Sequence, residues 1–255
     1  MTELTFDASS VAGLLYAIMR VTGVILGAPQ LTRRLPRSGQ VSFALAVGIF
    51  LMQPVPSTEL ELAPMVTSMF VNFAIGIILG FLATLILQMF VVAGGILDLT
   101  SGLAVSAIYD PLTGRNSTVF ERFFDLTALA MFFLLGGPRL LVAGIAQTVE
   151  VVPLWGTPVI DDGLADLAMT VFARFFIAGL EISVPALAAL FLAELVLGVA
   201  ARMLPEANVF LLGLPVKLLI ALLAAAAVLL SFPTFVNASL AEMADVMRAV
   251  ISSFG

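Results

Sequence analysis

The chain has 255 residues, of which 61% are hydrophobic and 11% charged, with a formal net charge of −6 and no cysteine or histidine. A soluble domain carries about 25% charged residues, so the composition excludes one. It also argues against a nucleic-acid partner, and it leaves no thiolate or imidazole for a metal site or a nucleophile-histidine pair. We predict an all-α integral membrane protein, since backbone groups in hydrocarbon must be bonded internally.

Six apolar segments are candidates for membrane helices, which need about 20 residues each. The third and fifth are longer than one simple span, so they must tilt, break or project beyond the bilayer. We predict a break after the third at Gly94-Gly95 and a kink in the fifth at Pro185. The segments, within one domain over residues 1–255, are 11–28, 40–53, 65–93, 119–135, 166–200 and 209–231.

The first loop is basic, with Arg33, Arg34 and Arg37, whereas the second loop holds Glu59 and Glu61. Basic loops prefer the cytoplasm. The pattern therefore predicts a cytoplasmic first loop and a periplasmic second one.

The stretch that follows Gly94-Gly95 is rich in small residues up to Gly102 and then runs through an Asp-Pro turn to Arg115. It is too polar for lipid and too apolar for an ordinary exposed loop. Irregular backbone at membrane depth is tolerated when it is buried in protein or lines a cavity. The stretch is thus either a pore-lining or pore-blocking loop or an ordinary cytoplasmic loop.

Ionisable residues inside apolar segments are costly, and each is a candidate functional residue. Those in the helical segments are Arg20, Arg174, Glu181, Glu194 and Lys217. Glu181 follows Arg174 by about two turns, on one helix face. Such a row could be a proton relay or a set of contacts to neighbouring subunits, and we favour the contacts because a relay usually has denser acids or a histidine.

The tail from Asn237 to Gly255 has apolar residues at helical spacing, namely Leu240, Met243, Met247 and Val250. We predict a short amphipathic helix there. It is either an ordinary surface helix or an element that docks a partner.

Several motifs, read in order, resemble those of the FliR family of flagellar type III secretion and its injectisome counterparts. The most specific is Arg-x-x-Pro-x-x-Asn-Val-Phe-x-x-Gly-x-Pro-x-Lys over residues 202–217, and the resemblance extends from about residue 10 to 230. Its other positions are Arg20, Gly23, Pro29, the basic loop 33–37, Gln88, Gly94, Gly95, Asp98, Gly102, Asp110, Pro111, Gly114, Pro185, Glu194, Leu197 and Gly198.

The resemblance implies a cofactor-free, non-enzymatic subunit of an export gate in the bacterial inner membrane, at the flagellar basal body. Its partners would be FliP- and FliQ-like subunits, an FlhB-like switch protein, unfolded flagellar export substrates and membrane lipid, in an inclined hetero-oligomeric assembly of helical hairpins. The loop after Gly94, Gly95 and Gly102 would act as a hinged plug. Its plug residues would be Ser106, Ala107, Ile108, Tyr109, Asp110, Pro111 and Gly114, and the subunit contacts would be Arg20, Asp98, Arg174, Glu181, Glu194, Arg202, Asn208 and Lys217.

Two other functions remain open from the residues. A proton-coupled carrier of a small solute would use Arg174, Glu181, Glu194 and Lys217 as its coupling set. An intramembrane enzyme is disfavoured, since no nucleophile motif is recognisable.

Overall fold

The structure, a computed structural model, describes residues 7–56, 61–104, 118–158, 164–203 and 209–253. Its regular secondary structure in these ranges is entirely helical, which confirms the predicted all-α class. The helices are α1 (Ala8–Gly27), α2 (Pro29–Thr32), α3 (Arg37–Leu51), α4 (Leu62–Ser101), α5 (Val119–Leu134), α6 (Gly137–Val151), α7 (Leu164–Met203) and α8 (Val209–Ser252).

Within the described ranges, four helices are long and apolar enough to cross a membrane: α1, α4, α7 and α8. The short helices α5 and α6 would add a fifth span if the pair counts as one broken span. Their break lies at Gly136, whose φ of 86° suits a residue without a Cβ. The chain is therefore a multi-helix membrane protein.

The chain forms two compact units. The first consists of residues 1–85, 136–171 and 239–255, and the second of residues 86–135 and 172–238. Helices α4, α7 and α8 contribute residues to both units. The sequence analysis did not predict this division into two units.

In the first unit, four glycines bring α1 and the beginning of α4 into backbone contact. Gly23 and Gly27 face Gly76 and Gly80, so each helix carries the G-x-x-x-G spacing by which membrane helices approach closely. A Cβ on Gly76 would lie 2.0 Å from the carbonyl oxygen of Arg20. No residue larger than glycine fits at this crossing.

The first unit also contains helix α6, which the sequence analysis missed. The fourth predicted segment ends at residue 135, and Pro138 comes soon after it, but proline at the second position of a helix is well tolerated. Helix α6 packs against the C-terminal end of α8. There a Cβ on Gly144 would lie 2.8 Å from the sulfur of Met247.

The predicted amphipathic tail is the last part of the 44-residue helix α8 and not a separate short helix. All four residues of its apolar stripe are at most 8% exposed. They pack within the first unit. The interpretation of this stripe as a docking element for a partner is therefore wrong.

The second unit has an aromatic centre formed by three helices. Phe90 of α4, Phe124 of α5 and Phe232 of α8 are all fully buried. The ring centroid of Phe232 lies 4.7 Å from that of Phe90 and 5.1 Å from that of Phe124. Aromatic pairs at such distances add stability beyond their buried area.

The predicted break at Gly94-Gly95 is wrong, because α4 continues without interruption to Ser101. Helix α7 runs through Pro185 as one helix, so both long segments are continuous, and the kink at Pro185 stays a prediction. The missing side chain of Gly94 allows α4 to approach α5 closely and does not mark a break in the helix. A Cβ there would lie 2.6 Å from the Cα of Glu121 and from the carbonyl oxygen of Phe120 in α5.

Replacing Gly94 with alanine should therefore destabilise the protein, by about 1–3 kcal/mol, because the added methyl meets backbone that cannot rotate away. Gly95 provides the matched control, since a Cβ there meets nothing within 4 Å. Gly95→Ala should be neutral or stabilising by up to about 1 kcal/mol, alanine being the better helix former. Thermal unfolding of the two purified variants measures the difference, and equal midpoints would contradict the packing argument.

Candidate functional site

The Arg20 network is a buried polar cluster in the first unit. The fully buried Arg20 side chain donates from Nε to Asn72 Oδ1 at 2.8 Å, from one terminal nitrogen to Thr148 Oγ1 at 3.2 Å and from the other to the Val152 carbonyl at 3.1 Å. Asn72 in turn donates to the carbonyl oxygens of Ser68 and Leu154, at 2.6 and 2.7 Å. One guanidinium thereby joins α1, α4, α6 and the segment after α6.

The hydrogen-bond partners of Arg20 in the described part of the chain are neutral oxygens. A buried charge is costly unless it is paired or well hydrogen-bonded, so the three acceptors are essential to it. The side chain is 0% exposed, so these contacts are all made within the chain. The contact of Arg20 with a neighbouring subunit stays a prediction.

The Asp98 cap is the corresponding feature of the second unit. The Asp98 carboxylate, fully buried, accepts hydrogen bonds from the backbone N–H of Phe120 at 3.1 Å and of Glu121 at 2.8 Å, and from the Thr118 hydroxyl at 2.5 Å. These donors lie at the N-terminus of α5, where unpaired N–H groups and the helix dipole favour an anion. Asp98, too, is buried and makes these contacts within the chain.

A capping box completes the start of α5. The Glu121 carboxylate reaches back to the Thr118 backbone N–H at 3.5 Å, which gives the Thr-x-x-Glu arrangement. That four-residue motif could have been found in the sequence. Gly94 and Asp98 lie one helical turn apart on α4 and contact the same turn of α5, so close approach and capping occur together.

The Asp98 cap fixes the end of the predicted plug loop. Helix α4 ends at Ser101, and Gly102 follows with a φ of 86°. The described chain resumes at Thr118, which is bound to Asp98. The predicted plug residues Ser106, Ala107, Ile108, Tyr109, Asp110, Pro111 and Gly114 lie outside the described residues, as does Asn208.

An ion pair links α7 and α8 in the second unit. Lys217 Nζ lies 2.7 Å from Glu194 Oε1, and the two side chains are 20% and 64% exposed. The pair lines an open cleft of about 270 Å³, whose other lining residues are Leu197, Gly198, Ala201, Gly213 and Leu214. Both charges were predicted as candidates, but their pairing was not, since they are 23 residues apart.

The other predicted charges, Arg174, Glu181 and Arg202, are exposed on α7. Their exposure makes them accessible to lipid or to another protein.

Helices α7 and α8 carry an unusual amount of exposed apolar surface. In their most apolar stretches only 28% of the residues are buried, against 67% in α4. Large side chains such as Phe191, Val196 and Leu223 are more than 60% exposed. Because monomeric soluble proteins rarely expose such patches, this surface requires lipid or protein around it.

Comparison with known proteins gives one consistent family. The family model described as "Bacterial export proteins, family 1" matches residues 11–243. The flagellar biosynthetic protein FliR of Escherichia coli is 26% identical over 245 residues, covering 93% of this chain and 92% of that protein. FliR of Bacillus subtilis is 28% identical over 195 residues, 73% of each. The surface presentation of antigens protein SpaR of Shigella flexneri is 28% identical over 156 residues, 60% of this chain and 59% of that one.

Proposed function

The chain belongs to family 1 of the bacterial export proteins, and on this basis we propose that it is a non-enzymatic core subunit of a flagellar type III export gate. It forms a channel for unfolded flagellar export substrates together with FliP- and FliQ-like subunits, beside an FlhB-like switch protein. The gate lies in the bacterial inner membrane at the flagellar basal body. The match over residues 11–243 carries this proposal.

The exposed apolar surface supports a place among other subunits. Helices α7 and α8 have 40 and 44 residues, so each is about 60 Å long at 1.5 Å per residue. The hydrocarbon core of a bilayer is about 30 Å thick. About half of each apolar helix therefore needs a protein partner, or a strong tilt, to be shielded from water.

Loop 106–114 is proposed as part of the plug that closes the channel at rest. A channel for extended chains must block ions between substrates, and a short loop of small and apolar residues can seal it and still yield. The Asp98 cap supports this role, because it holds the chain at Thr118 and so limits how far the loop can move.

A proton-coupled carrier is less well supported. Two of its four coupling residues, Glu194 and Lys217, form an ion pair on one hairpin. The family match also points to protein export. Isolation from membranes distinguishes the two: an export-gate subunit is expected to co-purify with several partner subunits identified by mass spectrometry, whereas a self-sufficient carrier would be recovered alone.

Deleting residues 106–114 should raise the resting ion conductance of membranes that contain the assembled complex. Conductance is measured with reconstituted complexes in planar bilayers, after co-purification has shown that the partner subunits are retained. The control replaces residues 159–163, which lie between α6 and α7 in the sequence, with glycine and serine, and it should leave the conductance unchanged. An assembled complex without additional leak would refute the plug assignment.

A further inference from the structure

The turn between α2 and α3 carries the strongest local excess of positive charge in the chain. Arg33, Arg34 and Arg37 are all exposed there. Every one of the 17 acidic residues lies outside residues 8–58, so no carboxylate is close in sequence to these arginines. We call residues 33–37 the basic turn.

Hydrogen bonds hold the basic turn from both sides. Gln40 of α3 donates from Nε2 to the carbonyl oxygens of Thr32 at 2.8 Å and Leu35 at 3.1 Å. The Thr32 hydroxyl donates back to the Ile25 carbonyl at the end of α1, at 2.9 Å. Neutral groups therefore hold the backbone of the turn.

An exposed apolar row continues directly from the basic turn. Val41, Leu45 and Ile49 follow Arg37 at intervals of four residues along α3, and they are 58%, 43% and 57% exposed. Their opposite face, including Val47 and Leu51, packs inside the first unit. Residues four apart lie on neighbouring turns of one helix side, so guanidinium groups and an apolar row form one continuous amphipathic surface.

We propose that this surface binds an anionic phospholipid, with its phosphate on Arg33 and Arg37 and its acyl chain along Val41, Leu45 and Ile49. Along this surface the positive charges come first and the apolar row follows. A phospholipid has the same arrangement, with its phosphate at one end and its acyl chains next to it. A free phosphate or a nucleic acid would leave the apolar row exposed to water. Only the four-residue helix α2 separates the turn from the candidate span α1, so the turn would lie near the lipid headgroups if α1 crosses the membrane.

The test is lipid retention by the full chain, purified with whichever partner subunits it retains and titrated with phosphatidylglycerol or phosphatidylcholine in detergent. Bound lipid is counted by native mass spectrometry. Each arginine near an anionic surface contributes about 1 kcal/mol, or roughly fivefold in affinity. The combined variant Arg33→Gln, Arg34→Gln and Arg37→Gln should therefore bind phosphatidylglycerol at least ~10-fold more weakly, whereas phosphatidylcholine binding should not change.

A matched control removes the same charge elsewhere, through Arg122→Gln, Arg139→Gln and Arg202→Gln, all at exposed positions. It should retain phosphatidylglycerol binding, as should a variant with lysine at positions 33, 34 and 37. The glutamine variant should keep its unfolding midpoint, because the exchanged side chains are exposed. Undiminished phosphatidylglycerol binding by that variant, an equal loss in the control, or loss of a partner protein without loss of lipid would each overturn the proposal.

Discussion

Replacing Asn72 with leucine is expected to destabilise the first unit strongly, by about 3–5 kcal/mol, the range found when a buried charge loses one of its partners. Asn72 accepts the hydrogen bond from Arg20 Nε and donates to two carbonyl oxygens. Leucine has similar volume but no polar atoms. The substitution therefore leaves a buried guanidinium short of an acceptor and the Leu154 carbonyl without its donor.

The same reasoning predicts how Asn72→Leu combines with Arg20→Met. Removing only the acceptor leaves the charge buried, whereas removing both groups replaces a polar cluster by apolar side chains, which can be nearly neutral. The double variant should hence be more stable than Asn72→Leu alone. The loss of stability in the double variant should thus be smaller than the sum of the losses in the two single variants.

Thermal unfolding of the purified chain and its steady-state amount in membranes measure both effects. Asn237→Leu is the matched control, since Asn237 is exposed on α8, and such surface changes usually stay within about 0.5 kcal/mol. If Asn72→Leu unfolded at the temperature of the control, the Arg20 network would not be a stabilising feature. A double variant less stable than either single one would contradict the charge argument.

Features encoded within a few residues of sequence were accessible to prediction. Continuous apolar runs located α1, α4, α7 and α8, because hydrophobicity alone decides what can cross a bilayer. Helical spacing also predicted the apolar stripe that includes Leu240 and Met243. It did not predict that the stripe is buried within the first unit. The capping box at Thr118 was equally local and was overlooked.

Features that depend on distant partners were not accessible. Gly94 has the composition of a break, but its small size serves a contact with α5, some 27 residues further on. Arg20 signalled a buried charge, yet its acceptor Thr148 is 128 residues away. No periodicity connects them, so only the tertiary structure distinguishes an internal network from a subunit contact.

Replacing Asp98 with alanine is expected to cost about 3 kcal/mol, because two backbone N–H groups at the start of α5 lose their acceptor at a buried site. Asp98→Asn keeps the size of the side chain and one accepting oxygen, but it removes the charge and the second acceptor. It should therefore cost about half as much stability as Asp98→Ala. Both variants should fray the first turn of α5, where Phe120 and Glu121 are bonded to the carboxylate. Thermal unfolding of the purified chain gives the size of each loss.

The ion conductance of the assembled complex then tests whether the cap also holds the plug. If loop 106–114 closes the channel, releasing Thr118 from Asp98 should raise the resting leak, though less than deleting the loop, since the plug residues are still present. Asp245→Asn is the control, because Asp245 pairs with Arg248 at a side-chain exposure of 70%, where ion pairs contribute little. A destabilised Asp98 variant that assembles without additional leak would leave the cap as a purely structural feature. A leak equal to that of the deletion would instead mean that the position of the loop, and not its bulk alone, is what seals the channel.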